Sequence, residues 1–186
     1  MAAPHRVRII GGAHRGRLVP VVKAAGLRPT PDRVRETLFN WLGQDLSGAT
    51  TLELYAGTGV LSLEALSRGA TRAVAVDCNP VLIGALTATA AQIGIAGLEA
   101  HVADALRHLR TERRAFDVVF LDPPFGDDPW QALFAALDPL IGERSFIYAE
   151  ASRRIAPPAA LDVVRQARAG GVHYHLLARN AQAANR

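Results

Sequence analysis

The chain has 186 residues, 49% hydrophobic and 20% charged, which suits one domain with a real core plus a short appendage. One cysteine, Cys78, excludes an internal disulfide and argues against a cysteine metal site, so a reducing, cytoplasmic setting is expected. No apolar run is long enough to span a bilayer, and the opening Met1-Ala-Ala-Pro-His-Arg6 lacks the apolar stretch of a signal peptide.

Val7 to Ile10 and Leu18 to Val22 are short β-prone runs around a Gly-rich turn, so a hairpin is expected. Arg28-Pro-Thr-Pro-Asp32 follows, with Thr30 as N-cap and Pro31 at the first helical position. Val34, Leu38, Trp41 and Leu42 repeat at helical spacing and predict a helix near 31–43. Residues 1–35 hold eight basic residues against one acid, Asp32, a net +7; the whole chain is only +4, so the remainder is net negative. Such an arm is an electrostatic footprint for a polyanion. Arg8, Arg15, Arg17, Arg28, Arg33 and Arg35 are its candidate RNA contacts. The alternative is a solvated basic tail, but the interleaved glycines and flanking aliphatic pairs fit a folded hairpin better.

From Thr50 the pattern becomes β-α-β. Strands are expected at Thr50–Tyr55, Ala73–Val76, Leu98–Ala103, Phe116–Leu121 and Ser145–Glu150. Helices are expected at Gly59–Ser67, Pro80–Ile93, Ala105–Arg110 and Pro129–Leu137. Two last runs, Leu161–Ala167 and Val172–Ala178, flank Gly170-Gly171 and read as a β-hairpin. Alternating strands and helices predict an α/β fold: a Rossmann-like, mostly parallel sheet covered on both faces, with a closing antiparallel hairpin. The expected division is a small hairpin-and-helix extension over 1–45 and a main domain over 46–186.

The chemistry concentrates at strand ends. Asp122 ends an apolar strand and is followed by Pro123, Pro124 and Phe125. Prolines cannot donate to a sheet ladder, so the strand stops there. A carboxylate, a rigid turn and an aromatic face are left at the carboxyl end, where open α/β sheets bind ligands. A carboxylate accepts from an exocyclic amine, and a ring stacks on a base. Upstream, Glu53-Leu-Tyr-Ala-Gly-Thr-Gly59 joins the first main-domain strand to its helix. Glycines let backbone approach a ligand closely there. Ser62 stands where a dinucleotide fingerprint has its third glycine, and no Gly-Lys-Ser/Thr follows. Asp77 and Asp104 end the next two strands. Glu53, Tyr55, Gly57, Gly59, Asp77 and Asp104 form the candidate cofactor set. Acids at successive strand ends suit a ligand with hydroxyls, an amine and a positive charge, and suit a pyrophosphate badly. S-adenosylmethionine has that chemistry.

The Asp-Pro-Pro-Phe tetrad resembles the signature of methyltransferases acting on amino or amide nitrogens. Over nearly its full length the chain resembles the RsmD family of 16S ribosomal RNA guanine-N2 methyltransferases. The likeness rests on Arg8-Ile-Ile-Gly-Gly-Ala-His-Arg-Gly-Arg17, on Gly26-Leu-Arg-Pro-Thr-Pro-Asp-Arg-Val-Arg-Glu-Thr-Leu-Phe-Asn-Trp41, on Glu53 to Gly69 and on Asp122 to Phe125. It implies a class I methyltransferase fold with an RNA-binding extension, S-adenosylmethionine as donor, and a guanine of small-subunit rRNA as acceptor. The partner is then 16S rRNA or the assembling small subunit, with no membrane and no metal, and the enzyme is expected to act as a monomer. Competing readings are an adenine-N6 DNA or glutamine-N5 protein methyltransferase, or a catalytically silent RNA-binding module. The basic hairpin argues against the protein substrate, and the short chain has no room for a DNA target-recognition domain. Asp127 and Asp128 look like solvated acids, and His101, His108, His173 and His175 lack compact ligand spacing.

Overall fold

The computed structural model describes residues 6–22, 30–124, 126 and 128–180; the expectations placed on Arg28, Phe125 and Asp127 lie outside them. Two short strands open the chain, β1 (Arg6–Arg8) and β2 (Leu18–Pro20), paired antiparallel with Val7 opposite Val19. Helix α1 (Asp32–Leu42) follows. The main sheet comprises β3 (Thr50–Leu54), β4 (Arg72–Asp77), β5 (Leu98–Val102), β6 (Phe116–Leu121), β7 (Ile141–Ala151), β8 (Leu161–Ala169) and β9 (Val172–Arg179). Between them lie α2 (Val60–Ser67), α3 (Pro80–Ile93), α4 (Ala105–Thr111) and α5 (Trp130–Leu137). Among the described residues no helix is long and apolar enough to cross a membrane.

The sheet order is β5-β4-β3-β6-β7-β9-β8. The first five strands are parallel, and β9 and β8 close the edge antiparallel. The chain order reverses between β3 and β6, so their carboxyl ends border the crevice where such sheets bind ligands. This is the Rossmann-like architecture expected from the alternation of elements.

Strand side chains alternate between two cores, as the two-residue repeat of a pleated strand requires. Val118 and Phe120 pack with α1, α2, α3 and the β1–β2 hairpin; Val119 and Leu121 pack with α4 and α5. The first 45 residues therefore contribute Val7, Ile9, Val19, Val34, Leu38 and Phe39 to the same core as the main sheet. Helix α3 has the full set of local signals: Asn79 Oδ1 accepts from Val81 N at 2.9 Å, Pro80 opens the helix, and Gly94 closes it left-handed.

Three local expectations need correction. Strand β7 begins at Ile141, four residues before the expected start at Ser145. Strand β3 stops at Leu54, because Tyr55 turns to a φ of 60°. Thr30 is not the N-cap of α1; Pro31 holds that position and makes no side-chain cap bond. The Thr30 hydroxyl instead donates to Glu150 Oε1 at 3.1 Å. A buried carboxylate is a stronger acceptor than a helix N-terminus is a donor to a neutral hydroxyl.

Candidate active site

The turn between β3 and α2 is built from unusual backbone. Tyr55, Gly57 and Gly59 all have positive φ, 60°, 55° and 66°. A Cβ at Gly59 would lie 2.4 Å from Leu86 Cδ2, so this glycine lets α2 sit close to α3. Asp77, at the end of neighbouring β4, ties the turn down: its Oδ2 accepts from Gly57 N at 2.8 Å, and its Oδ1 accepts from Asn79 N at 2.8 Å. Glu53 is buried and accepts from both the amide and the hydroxyl of Ser62. The residue that breaks the dinucleotide fingerprint thus anchors an acid instead.

An open pocket lies beside this turn, lined by Glu53, Tyr55, Gly57, Thr30, Phe120 and Asp122 among others. Among the described residues its lining holds two carboxyl groups and no Lys, Arg or His. Such a set matches a cationic, hydroxyl-bearing ligand and opposes a phosphate. Asp77 stands one hydrogen bond behind the rim, through Gly57. Asp104 is apart from the pocket: it is exposed, and its Oδ1 caps α4 by accepting from Arg107 N at 2.9 Å.

Asp122 leaves the end of β6 on the same face as Phe120, with Pro123 buried and Pro124 exposed behind it. Burial, then the charges of Glu150 and Glu53, push its pKa up to about 8. Burial likewise pushes Glu53 up to about 7, against the hydrogen bonds from Ser62. A cation entering the pocket restores both to the charged form.

Glu150, buried behind the lining residues Thr30 and Asp122, is a group that sequence reading did not single out. It belongs to β7, and Leu121 pairs with Ala149, so Asp122 and Glu150 are the next neighbours across the paired strands. Its Oε1 accepts from Tyr148 Oη at 2.9 Å and from Thr30 Oγ1 at 3.1 Å. Burial raises its pKa, while those two donors oppose the rise. The available signal was that Glu150, like Asp122, ends an apolar strand run; nothing local tied it to Thr30, 120 positions earlier.

The basic arm divides. Arg15, Arg17 and Arg33 are exposed, and no ion pair engages them among the described residues. Arg8 is also exposed, 3.6 Å from Asp32. Arg35 is withdrawn from the expected RNA surface, because its side chain has no solvent exposure. It bonds Asp32 Oδ1 at 2.6 Å, Glu64 Oε2 at 3.3 Å and the carbonyls of Arg8 and Thr30. Glu64, itself fully buried in α2, also accepts from Ile10 N, Gly11 N and Arg68. Hairpin, α1 and α2 therefore meet on one buried carboxylate. A Cβ at Gly12 would lie 1.8 Å from Ser67 O, so the Gly11-Gly12 pair is what lets the hairpin approach α2 this closely. The rings of His173 and His175 lie parallel with centroids 6.5 Å apart, on one sheet face as expected from their spacing. Among the described residues no group of three or more metal-ligating side chains converges.

Comparison with known proteins places this geometry in context. The family model described as "Conserved hypothetical protein 95" matches residues 7–178. The chain is 36% identical to ribosomal RNA small subunit methyltransferase D of Escherichia coli (strain K12), over 95% of this chain and 92% of that protein. It is 41% identical to the protein of the same name from Haemophilus influenzae, over 66% of each chain. The solved Escherichia coli protein yhhF superposes with a TM-score of 0.86, 36% identity and coverage of 96% of this chain and 100% of that one.

Proposed function

This chain belongs to the Conserved hypothetical protein 95 family, that of ribosomal RNA small subunit methyltransferase D, and from that membership we propose that it is a methyltransferase of small-subunit ribosomal RNA using S-adenosylmethionine. The finer reading is transfer to the exocyclic N2 amine of one guanine. The observation that carries it is Asp122, raised in proton affinity, facing the pocket beside Glu53 and the glycine turn.

The donor set fits the cofactor, since the described lining holds Glu53, Asp122 and the Gly57 turn and, among the described residues, no cationic side chain. Glu53 would face its ammonium group, Asp77 its ribose hydroxyls, and the backbone of Tyr55 to Gly59 its amino-acid end. Asp104, at the end of β5, is the candidate acid for the adenine end, although it lies outside the pocket lining and caps α4. When bound, S-adenosylmethionine supplies a methyl group on a sulfonium sulfur that departs as a neutral thioether.

The guanine N2 lone pair is delocalised into the ring, so the protein's task is to aim that nitrogen. The base must leave its stack to reach the pocket. Asp122 would accept one N2–H, and the Pro123 carbonyl is the candidate acceptor for the other. Phe125, next but one in the chain, is the candidate stacking ring. As N2 gains its methyl carbon it becomes an acid, and Asp122 takes the departing proton more readily than an ordinary carboxylate does. The exposed Arg8, Arg15, Arg17 and Arg33, with Arg28, are the proposed phosphate contacts of the 1–45 extension. The 46–186 domain carries Asp122 and the candidate cofactor residues, and Thr30 of the extension joins the pocket lining. A ribosomal substrate supports a cytoplasmic location for the enzyme.

The test is mass-spectrometric mapping of small-subunit rRNA from a deletion strain and from the same strain complemented. Loss and restoration of one N2-methylguanosine is expected. Unchanged rRNA would overturn the assignment, and loss of an adenine methyl mark would transfer it to N6 chemistry.

A further inference from the structure

We infer that Glu150 reads the target base as guanine: Glu150 Oε2 accepts the N1–H while Asp122 accepts an N2–H. The inference rests on the methylation reading above and deepens it. Guanine alone among the RNA bases presents two adjacent donors, N1–H and N2–H, on its pairing edge. Two carboxylates side by side are the complement of that edge.

The placement supports this. Asp122 and Glu150 follow the paired residues Leu121 and Ala149 on parallel strands, so their Cα atoms stand about one strand spacing apart, roughly 4.8 Å. Both lie on the face of Phe120 and Tyr148. Glu150 Oε1 is taken by two hydroxyl donors, Tyr148 Oη and Thr30 Oγ1. Oε2 has no hydrogen bond among the described residues. Thr30, which holds Glu150, and Asp122 both line the pocket. The Tyr148 phenol stays protonated, since burial and the Glu150 charge raise its pKa well above the usual value, so it remains a donor that fixes the carboxylate's orientation.

A purely structural role fits poorly. No Lys or Arg pairs with Glu150 among the described residues, and its charged neighbours are acids. A buried carboxylate beside another, without a cation, is costly. Donors brought in by the substrate offset that cost. Adenine would turn its N1 lone pair toward Glu150 and be repelled, which separates this site from adenine-N6 chemistry.

The substitution Glu150→Gln tests the assignment. The two hydroxyl donors hold the amide oxygen of the new side chain, which leaves its NH₂ as a donor where Glu150 Oε2 stood. The probe is full-length small-subunit rRNA, assembled by splinted ligation with either guanine or 2-aminopurine at the methylated nucleotide, both naked and loaded with ribosomal proteins. 2-Aminopurine keeps the N2 amine but presents an acceptor at N1. Wild type is expected to favour guanine by about a hundredfold or more in kcat/KM, as a site built on a hydrogen bond does. Glu150→Gln is expected to lower that preference at least about tenfold, with S-adenosylmethionine affinity within about twofold of wild type. Equal losses on both RNAs, or an unchanged ratio, would overturn the inference while leaving the methylation reading intact. Failure of wild type to methylate either RNA would overturn the methylation reading and the inference with it.

Discussion

Asp122, one residue past the end of β6, stands beside Glu150 near the end of the adjacent parallel β7, and the charge of Glu150 helps hold the Asp122 carboxyl neutral to about pH 8. Catalysis needs the ionised form to accept from the amine. Methyl transfer measured as kcat/KM should therefore rise with pH through about 8 and level above it. A profile flat from pH 6 to 9 would show that Asp122 is not the titrating group. Stability moves the other way. The unfolded carboxyl ionises near 4 while the folded one keeps its proton to about 8, so the unfolded state binds fewer protons between those values and stability falls as pH rises.

Asp122→Ala should abolish transfer and leave S-adenosylmethionine binding nearly intact, read by single-turnover kinetics and calorimetry. Asp122→Asn separates orientation from proton acceptance. Appreciable residual activity with a flattened pH profile would assign Asp122 to orientation alone. The same variant removes a carboxyl that burial disfavours in its charged form, so at pH 9 it should melt above wild type. A gain of ~1 kcal/mol corresponds to about 2–4 °C for a chain of this size.

Asp77→Ala should weaken S-adenosylmethionine binding. Asp77 accepts from Gly57 N and Asn79 N, so the variant loses both the charged acceptor for the ribose and the tie on the turn. Hydrogen bonds to charged groups contribute about 1.5–3 kcal/mol, so affinity should fall roughly ten- to a hundredfold. An unchanged dissociation constant would move the ribose site elsewhere.

Replacing Arg15 and Arg17 together by Ala should weaken RNA binding without changing cofactor affinity. Each lost phosphate contact should make the salt dependence shallower by roughly 0.7–0.9. Identical slopes for wild type and variant would reduce this hairpin surface to a solvated face.

Arg35 predicts a different outcome from its exposed neighbours. Removing one partner of a buried ion pair costs about 3–5 kcal/mol, so Arg35→Ala should lower the denaturation midpoint strongly. Arg33→Ala, on the exposed side of the same helix, should leave stability within about 0.5 kcal/mol. Equal stability of the two variants would contradict the buried network around Glu64.

The sequence alone determined the alternation of strands and helices and the acids at strand ends. Those signals are local. Val118 to Leu121 is an apolar run stopped by two prolines, and Asn79-Pro80 with Gly94 brackets α3. Tertiary structure decided which charges share a pocket and which leave the surface. Thr30 bonds Glu150 across 120 positions, and Arg35 meets Glu64 across 29. In the one-dimensional pattern Thr30 reads as a helix cap and Arg35 as one more basic residue of the arm. A charge is exposed or buried according to what packs over it, and only the docking of α1 and the hairpin on α2 sets that. The proton affinity of Asp122 has the same origin: its strand was legible, but its pKa depends on Glu150 and Glu53, brought beside it by the pairing of β6 with β7 and β3.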